Sequence, residues 1–367
     1  MSHYDVIVIG AGVGGSAAAA FLSQAGKRVV VLEATEMPRH SHVCSGIFTS
    51  TFGLLDKTPA EYPHEILEMD PAKIRMVFGG RRFGAFPERW VKPFFDEKLY
   101  FLHRGELEEW ILSLGSAELR TRCRVAPADM ELERVGAAHR YRVRAGGDVL
   151  TADHLIGAGG PNCPVRRRFF PTLEFPREDL VVLKEVELDV ACHGGEMTSY
   201  FYAEGAVGFG WVYPKGAGGR MTNVGICQVG DPARTSSINA LWSTFCAALK
   251  REGRLPADFD PESAIGAGIH LAQSECPVAA NDGTCLLVGD AAAVLHRDFW
   301  NGITPAIESG RLAARHIVAG EPYERGQLYP YLFRLTRRDS PLRRRIGDYA
   351  FRTLLPRIDR WLRGPGK

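Results

Sequence analysis

The apolar positions at the start of the chain follow first a strand period and then a helical one. Residues 4–9 form a mostly apolar run of strand length, and the small apolar residues from Ala17 to Ala25 favour a helix. A second apolar run, residues 28–32, ends at Glu33. This order predicts a strand, a helix and a second strand, which is the first unit of an α/β sheet.

The glycines between the first strand and the helix have the spacing of a dinucleotide-binding loop. Gly10 permits a tight turn, Gly12 lets the backbone approach a pyrophosphate, and Gly15 permits close helix packing. Glu33 follows Gly10 by 23 residues, where an acid can accept a hydrogen bond from a ribose hydroxyl. The motif alone is weak evidence. With its strands, helix and acid all in place, it predicts that the chain binds NAD or FAD.

A second glycine turn lies far along the chain, within residues 285–314. The apolar run 286–288 predicts a buried strand, followed by a turn at Gly289 and Asp290. From Ile303 the apolar spacing is helical, and the start of such a helix attracts negative charge. An ordinary strand, turn and helix would also give this pattern. Its combination with the N-terminal loop favours a second contact to the same nucleotide.

Between these two segments, apolar and polar residues alternate as in an antiparallel sheet. Residues 181–190, 197–202 and 222–229 show this alternation, and residues 242–254 are expected to form a helix closed by Gly253. Such a sheet would cover the nucleotide-binding part and leave a pocket between them. The predicted division is a nucleotide-binding domain of residues 1–70, 101–175 and 268–329, a substrate domain of residues 71–100 and 176–267, and a basic helical segment of residues 330–367.

Length and composition indicate a large soluble enzyme. With 367 residues, 45% of them hydrophobic, the chain can bury a sizeable core. No apolar run reaches the length of about eighteen residues that a spanning helix needs. Eight cysteines without a CxxC pair suit a reducing compartment, and we expect no removable leader before the nucleotide strand. We therefore expect a cytoplasmic protein.

The net charge of +2 hides a strongly basic C-terminal end. Residues 330–367 hold ten arginines and Lys367 against three aspartates, a net charge of +8 that leaves −6 for the rest of the chain. Apolar residues recur there at helical spacing, and Pro356 is expected to break or kink the run. The segment is either a pair of helices packed on the body or an arginine-rich face that meets anionic lipid or a partner. No motif supports nucleic acid.

Three local segments resemble the geranylgeranyl reductase family, within the flavoprotein superfamily that includes para-hydroxybenzoate hydroxylase. Residues 44–46 (CSG) resemble the family's cysteine and glycine turn, and residues 208–215 (GFGWVYPK) resemble its aromatic YxWxFPK segment. Residues 289–292 (GDAA), with the later GI and SGRLAA, resemble its flavin-binding helix. The resemblance covers most of residues 1–320.

The resemblance implies an α/β fold with a Rossmann-like FAD-binding domain of the para-hydroxybenzoate hydroxylase type, an inserted antiparallel β-sheet substrate domain and a C-terminal helical segment. FAD is the implied cofactor, with its ADP half on the N-terminal loop and its ribityl chain at Asp290. No metal is expected, since His40, His42 and Cys44 lack a fourth ligand at suitable spacing. The residues predicted to contact FAD are Gly10, Gly12, Gly14, Gly15, Glu33, Ala34, Cys44, Ser45, Gly46, Arg104, Val125, Ala158, Gly159, Gly289, Asp290, Gly302 and Ile303.

Four of these residues have particular roles by the same resemblance. Arg104 precedes a helix and would meet the cofactor near its phosphates and ribityl chain; the alternative is a surface arginine that caps this helix. Val125 would meet adenine through its backbone, in a short strand at residues 122–125. Gly302 and Ile303 would offer backbone N–H groups to flavin N1 and the C2 oxygen.

The chain departs from the family pattern at three positions. Residues 154–160 resemble the superfamily's strand that ends in GADG, but Gly159 replaces the aspartate of a motif that takes part in NAD(P)H docking in some relatives. Arg297 and Trp300 stand where the family has a proline and a glycine. Trp300 would narrow the substrate channel and favour a smaller or flatter substrate than a long isoprenoid.

The candidate catalytic residues lie in three places. Cys44 is implied to lie near the flavin ring, where its thiol would donate a proton or shape the substrate face; the alternative is a small buried filler. Trp211 and Tyr213 alternate with Phe209, so the three rings share one strand face and would wall an apolar channel or form ordinary sheet core. Trp300 would add a ring at the flavin end, beside a polar group at residues 296–298 that is otherwise a solvated loop.

Three functions are compatible with these residues. The resemblance implies an FAD-dependent oxidoreductase that saturates a carbon–carbon double bond of an apolar, isoprenoid-type substrate. Hydride would come from flavin N5, the proton from Cys44, Tyr213 or water, and the electrons from NAD(P)H or a ferredoxin-like donor. The alternative is a monooxygenase or a halogenase-like enzyme acting on a small aromatic or polyketide-type substrate, although Phe209 replaces the first Trp of the halogenase WxWxIP segment. Only the basic tail supports a non-catalytic electron-transfer protein.

Overall fold

The computed structural model describes residues 2–39, 46–78, 81–83, 97–136, 138–203, 207–273, 276–297, 300–332, 349 and 353–363. The candidates Cys44 and Ser45, with His40, His42 and Asp298, lie outside these ranges. The strands are β1 Ser2–Ile9, β2 Val29–Leu32, β3 Gly46–Phe48, β4 Ile66–Glu68, β5 Ile74–Phe78, β6 Arg81–Phe83, β7 Leu99–Leu102, β8 Glu118–Arg120, β9 Met130–Val135, β10 Ala138–Ala145, β11 Asp148–Gly157, β12 Leu180–Leu188, β13 Met197–Phe201, β14 Gly208–Lys215, β15 Met221–Val229, β16 Ile265–His270, β17 Ala279–Ala280 and β18 Cys285–Leu287. The α-helices are α1 Val13–Gln24, α2 Thr49–Gly53, α3 Arg104–Ser113, α4 Pro164–Phe169, α5 Ile238–Arg251, α6 Ile303–Ala319, α7 Arg325–Leu332 and α8 Leu355–Arg363.

The first sheet carries the dinucleotide loop. Its strand order is β17-β18-β11-β1-β2-β8, and the hairpin of β9 and β10 joins at β11. β1 pairs in parallel with both β2 and β11, and its apolar residues are buried on both faces, as in other parallel sheets covered by helices. Helix α1 packs against α6. The two helices approach so closely at Gly310 that a Cβ there would lie 2.5 Å from the Gly14 carbonyl oxygen.

The second sheet has the order β16-β12-β15-β14-β13-β5-β6 and is antiparallel except for the parallel pair β13 and β5. Helix α5 covers one face, and Gly210 leaves room for its Phe245 ring, which a Cβ would meet at 2.5 Å. The opposite face of β14 carries Phe209, Trp211 and Tyr213. Gly225 on β15 leaves room for Trp211, whose ring a Cβ there would meet at 2.1 Å.

A three-stranded sheet, in the order β3-β7-β4, supplies further apolar residues between the two larger sheets. The predicted α/β architecture is confirmed: one sheet with parallel pairing carries the glycine loop, and a second, largely antiparallel sheet is inserted. The predicted domain boundaries stay a prediction. None of the helices in the described ranges combines the length and the apolar character that crossing a bilayer requires.

Several element boundaries differ from the sequence predictions. Residues 122–125, predicted as a short strand, are irregular, and the strand that pairs with β2 is β8, three-residue Glu118–Arg120. The chain then turns away because Arg122, with a φ of 53°, leaves the strand conformation. Helix α5 begins four residues earlier than predicted and precedes Gly253, which has a φ of 69°. Pro356 is the second residue of α8, and the two residues before this helix, 353–354, are π-helical; the predicted break or kink at Pro356 stays a prediction.

Candidate functional site

One continuous cavity of about 1520 Å³ lies between the two large sheets and joins both glycine turns to the aromatic face of β14. Every candidate residue that the structure describes lines this cavity. These are Gly10, Gly12, Gly14, Gly15, Glu33, Ala34, Gly46, Arg104, Val125, Ala158, Gly159, Trp211, Tyr213, Gly289, Asp290, Trp300, Gly302 and Ile303. Their roles toward a cofactor or substrate stay predictions.

The loop after β1 is shaped by backbone approach. A Cβ at Gly15 would lie 2.0 Å from the Gly10 carbonyl oxygen, and a Cβ at Gly10, where φ is 108°, would lie 2.5 Å from the Ala158 carbonyl oxygen. A Cβ at Gly12 would meet only the guanidinium of Arg39, at 3.1 Å. The loop therefore packs tightly on its protein side and, at Gly12, presents open backbone to the cavity beneath an arginine, as a pyrophosphate site requires.

Glu33 is held in place at the end of β2. One carboxylate oxygen accepts the Ala11 N–H at 2.8 Å, and the other accepts the N–H and hydroxyl of Thr35 at 2.9 and 2.7 Å. Burial alone would raise the pKa of Glu33, but these hydrogen bonds, with Arg39 nearby, together lower it. The carboxylate is thus fixed and ionised at neutral pH, as an acceptor for a ribose hydroxyl must be.

A buried carboxylate orients two arginines toward the cavity. Glu108 on α3 is fully buried, and its side chain accepts from Arg39 at 2.6 and 2.8 Å and from Arg104 at 2.9 Å. Both arginines line the cavity. Arg39 lies over the dinucleotide loop, and Arg104 lies close enough to Asp290 for its charge to oppose the raised pKa of that carboxyl group. The sequence prediction included Arg104 and missed Arg39 and Glu108. The spacing of Arg104 and Glu108, four residues on one helix, was a readable indication of the pair.

The second glycine turn places Asp290 at the middle of the cavity. The Gly289 N–H donates to the Ser309 hydroxyl on α6 at 2.9 Å, which fixes the turn against that helix. Burial raises the pKa of Asp290, and Arg104 opposes this shift. Asp290 is half-buried, and a carboxylate whose pKa is raised gains from a hydroxyl donor, so it fits a ribityl chain.

The start of α6 is capped by its own chain. The side-chain oxygen of Asn301 accepts the N–H of Ile303 at 3.1 Å and of Thr304 at 3.3 Å. The N–H of Ile303, predicted to face the flavin, is therefore already bonded, as the first donors of a helix usually are. A cofactor contact through this N–H would require Asn301 to release it.

Aromatic rings form the far part of the cavity. Phe209 lies 4.9 Å from Trp300 and 5.5 Å from Trp211, and Tyr213 lies 5.3 Å from Phe101, all between ring centroids. Two polar atoms within this wall have partners: the Trp211 indole donates to Asn223 at 2.6 Å, and the Tyr213 hydroxyl bonds Ser199 at 2.9 Å. The wall is thus apolar with a single hydroxyl pair among its rings.

Arg297 is a structural residue of the loop before α6. Its guanidinium makes two hydrogen bonds of 2.9 Å to the Asp179 carboxylate, and its carbonyl oxygen accepts the Trp300 indole N–H at 3.1 Å. Asp179 therefore ties this loop to the second sheet, and the loop holds Trp300 against Phe209. Asp179 was not a sequence candidate, because its partner is 118 residues away.

These residues fit FAD. An open glycine cradle with a fixed acid suits the ADP half, the half-buried Asp290 suits the ribityl chain, and the aromatic wall suits a flat ring beyond it. NAD would leave Asp290 without a ribityl partner.

Comparison with known proteins agrees with this fit. Residues 5–172 match the family model for FAD dependent oxidoreductases. This match and the relatives below confirm the predictions of an FAD-dependent enzyme and of FAD as its cofactor.

Within that class it is related to menaquinone reductases and geranylgeranyl reductases. It is 26% identical over 344 residues to a menaquinone reductase of Mycolicibacterium smegmatis, covering 89% of this chain and 80% of the relative. It is 24% identical over 330 residues to a digeranylgeranylglycerophospholipid reductase of Thermoplasma acidophilum, covering 86% and 78%.

Solved structures share the fold. A geranylgeranyl bacteriochlorophyll reductase-like protein of Thermoplasma acidophilum superposes with a TM-score of 0.74 at 18% identity, covering 98% of this chain and 90% of that one. PqsL of Pseudomonas aeruginosa, a probable FAD-dependent monooxygenase, has a TM-score of 0.64 at 18% identity, covering 98% and 99%. The halogenase CndH has a TM-score of 0.61 at 22% identity, covering 96% and 82%.

Proposed function

We propose that the protein reduces a carbon–carbon double bond in an apolar substrate that carries an isoprenoid chain. The observation that carries this proposal is the continuous cavity, which runs from the dinucleotide loop past Asp290 to a wall of aromatic rings. The relatives named as menaquinone and digeranylgeranylglycerophospholipid reductases support the substrate class.

The residues of the chain divide the work along the cavity. Arg39 and Arg104 would hold the phosphates of the cofactor, Glu33 its ribose and Asp290 its ribityl chain. Bound FAD, once reduced, supplies the hydride. Trp211, Phe209 and Trp300 bind the apolar substrate and exclude water from the ring. We assign the proton to the Tyr213 hydroxyl, which is bonded to Ser199 and lines this part of the cavity; it would protonate the second carbon of the bond.

The electrons come from an external donor, either NAD(P)H or a ferredoxin-like protein. The basic C-terminal segment would bring the enzyme to a membrane surface, where an isoprenoid substrate resides.

Hydroxylation of a small aromatic substrate is the second candidate, and the tilted contact between the Trp300 and Phe209 rings favours it. These rings, 4.9 Å apart, narrow the cavity near the predicted ring position and suit a flat molecule. Such a reaction consumes oxygen, whereas reduction of a double bond does not.

An anaerobic experiment separates the two. The bound flavin is reduced without oxygen, and menaquinone or a geranylgeranyl compound is added while the absorption of oxidised flavin is followed. Reoxidation with formation of the saturated product supports the reductase. Turnover that begins only when oxygen is admitted would make the reductase proposal wrong and support hydroxylation.

A further inference from the structure

Helix α8 turns its polar side inward and its apolar side outward. Asp359 is fully buried and lies near the buried Tyr202, whose pKa is raised by burial and by the charge of Asp359. Pro356 is buried on the same side of the helix. Leu354, Ile358 and Trp361 are 46%, 37% and 79% exposed. These three positions are spaced four and three residues apart, so they form one stripe along the helix. We call these three residues the outer stripe.

The outer stripe reverses the usual orientation of a surface helix. A helix packed on a protein normally directs its apolar stripe toward the core. Among the described side chains of α8, Pro356 and Asp359 are buried against the body of the protein. The apolar side chains of the outer stripe are therefore available to a second surface. Contiguous exposed apolar residues of this kind indicate an interaction site.

The charge around the outer stripe indicates which surface fits. Arg357 is exposed beside the stripe, and the segment 330–367 carries a net charge of +8 while the rest of the chain carries −6. Basic residues next to an outward row of Leu, Ile and Trp are the composition of a helix that lies in the interface of an anionic bilayer. Trp in particular prefers the headgroup region, because its ring is apolar and its N–H is polar.

The helix also adjoins the substrate part of the cavity. Leu355, the first residue of α8, lines the cavity together with Phe201 and Tyr202. Leu355 is itself 37% exposed and follows Leu354 of the outer stripe. One end of the cavity is therefore bounded by the same helix that presents the outer stripe.

We propose that α8 docks the protein on an anionic bilayer, with the outer stripe at the boundary of headgroups and acyl chains. Docking in this way places the Leu355 end of the cavity against the lipid, so that an apolar substrate enters without crossing water. The route into the cavity rests on the proposed function, whereas the docking itself does not.

Vesicle flotation of the full-length, FAD-loaded protein tests the docking without any substrate. We expect binding to vesicles of phosphatidylcholine with phosphatidylglycerol, weaker binding to phosphatidylcholine alone, and loss of binding at high salt. The double variant Ile358→Ser, Trp361→Ser should lower the partition coefficient about tenfold or more, because the apolar area that enters the bilayer is removed.

A matched double variant removes two exposed apolar side chains elsewhere. Val135 and Val318 are 47% and 45% exposed on other elements, and Val135→Ser, Val318→Ser should bind vesicles like the wild type. Equal melting temperatures show that both variants are folded. Failure of the wild type to float with anionic vesicles, or equal loss in both double variants, would overturn the proposal.

A second copy of the chain could bind the outer stripe in place of a bilayer. Light scattering tests this alternative, because it measures whether the protein is a dimer. A dimer that becomes a monomer only in Ile358→Ser, Trp361→Ser would make the membrane proposal wrong. The anaerobic reaction with substrate dispersed in detergent separates this proposal from the proposed function. Unchanged kcat in that variant, with lost activity on vesicle-borne substrate, supports docking. A wild type that reacts equally well in both forms and does not float contradicts docking and leaves the reaction intact.

Discussion

The two parts of the cavity are built by opposite means. In the cofactor part, close approach depends on absent side chains, since a Cβ at Gly15 or Gly310 would overlap the backbone of another segment. In the substrate part, the shape comes from the large rings of Phe209, Trp211 and Trp300. The first part cannot change without moving the backbone, whereas the second can change one side chain at a time. Solved proteins named as a reductase-like protein, a monooxygenase and a halogenase share this fold.

The largest effect is expected in the part built from backbone approach. Gly15→Ala places a methyl group 2.0 Å from the Gly10 carbonyl oxygen, so it should destabilise the fold by at least about 3 kcal/mol and abolish FAD retention. Urea unfolding and the flavin content of the purified protein measure both.

The matched control for this change is Gly53→Ala. Gly53 ends the short helix α2, is exposed, and has no atom near the position of an added Cβ. Its stability should stay within about 1 kcal/mol of the wild type. If Gly15→Ala were as stable and as flavin-rich as this control, the cofactor part would be more deformable than its geometry indicates.

The next largest effect is expected at Glu108, the buried carboxylate that orients Arg39 and Arg104 in the cofactor part. Glu108→Gln removes the charge between Arg39 and Arg104, so it should cost about 2–3 kcal/mol of stability and weaken FAD binding by roughly tenfold or more. Titration of the apoprotein with FAD measures the affinity.

The neighbouring Glu109→Gln is its control. Glu109 occupies the next position on α3 and is exposed. It should bind FAD as the wild type does. Equal affinities in the two variants would show that the arginine pair does not contact the cofactor.

In the substrate part, the effect should fall on the rate and not on the fold. Tyr213→Phe keeps the ring against Phe101 and removes the hydroxyl, so kcat should fall about 10–100-fold with little change in KM. Tyr141→Phe removes a tyrosine hydroxyl that bonds Thr284 and Asn281 outside the cavity, and it should leave kcat unchanged. A Tyr213→Phe enzyme with the wild-type kcat would assign the proton to another donor.

The smallest expected effect is a pH dependence of stability that has opposite signs for two carboxyl groups of the cofactor part, Asp290 and Glu33. Burial raises the pKa of Asp290, so the stability this group contributes is full below its unfolded pKa and is lost as the pH rises through its folded pKa. The pKa of Glu33 is lowered overall, so its contribution is present above its unfolded pKa and is lost as the pH falls through its folded pKa.

At neutral pH the apoprotein should therefore respond with opposite signs. Asp290→Asn should be more stable than the wild type, and Glu33→Gln should be less stable. Urea unfolding from about pH 3 to pH 8 measures both, because the contribution of Glu33 changes only below its unfolded pKa of 4.5. A change of the same sign in the two variants would contradict the opposite shifts.

Sequence reasoning located the parts of the site that leave a local trace. A loop whose backbone lies close to another segment must contain glycine at fixed spacing. Gly10, Gly12, Gly15 and the turn at Gly289 are therefore predictable from the sequence. Alternation on a strand likewise placed Phe209, Trp211 and Tyr213 on one face.

The missed residues depend on contacts between distant parts of the chain. Arg39 reaches Glu108 across 69 residues, and Arg297 reaches Asp179 across 118. No periodicity connects such positions. The orientation of α8 was unpredictable for a different reason, since its amphipathic pattern is the same whether the apolar stripe faces the body or the solvent.

Trp300 has a left-handed backbone conformation with a φ of 54°, which costs a bulky residue roughly 1 kcal/mol relative to glycine. Replacing it by glycine would relieve this strain while the contact with Phe209 is lost, so the two effects partly cancel. At Trp211, which is buried and bonded to Asn223, no such relief exists. Under selection for a bulkier substrate, we therefore expect the cavity to widen at position 300 before position 211, because a smaller residue costs less stability at position 300.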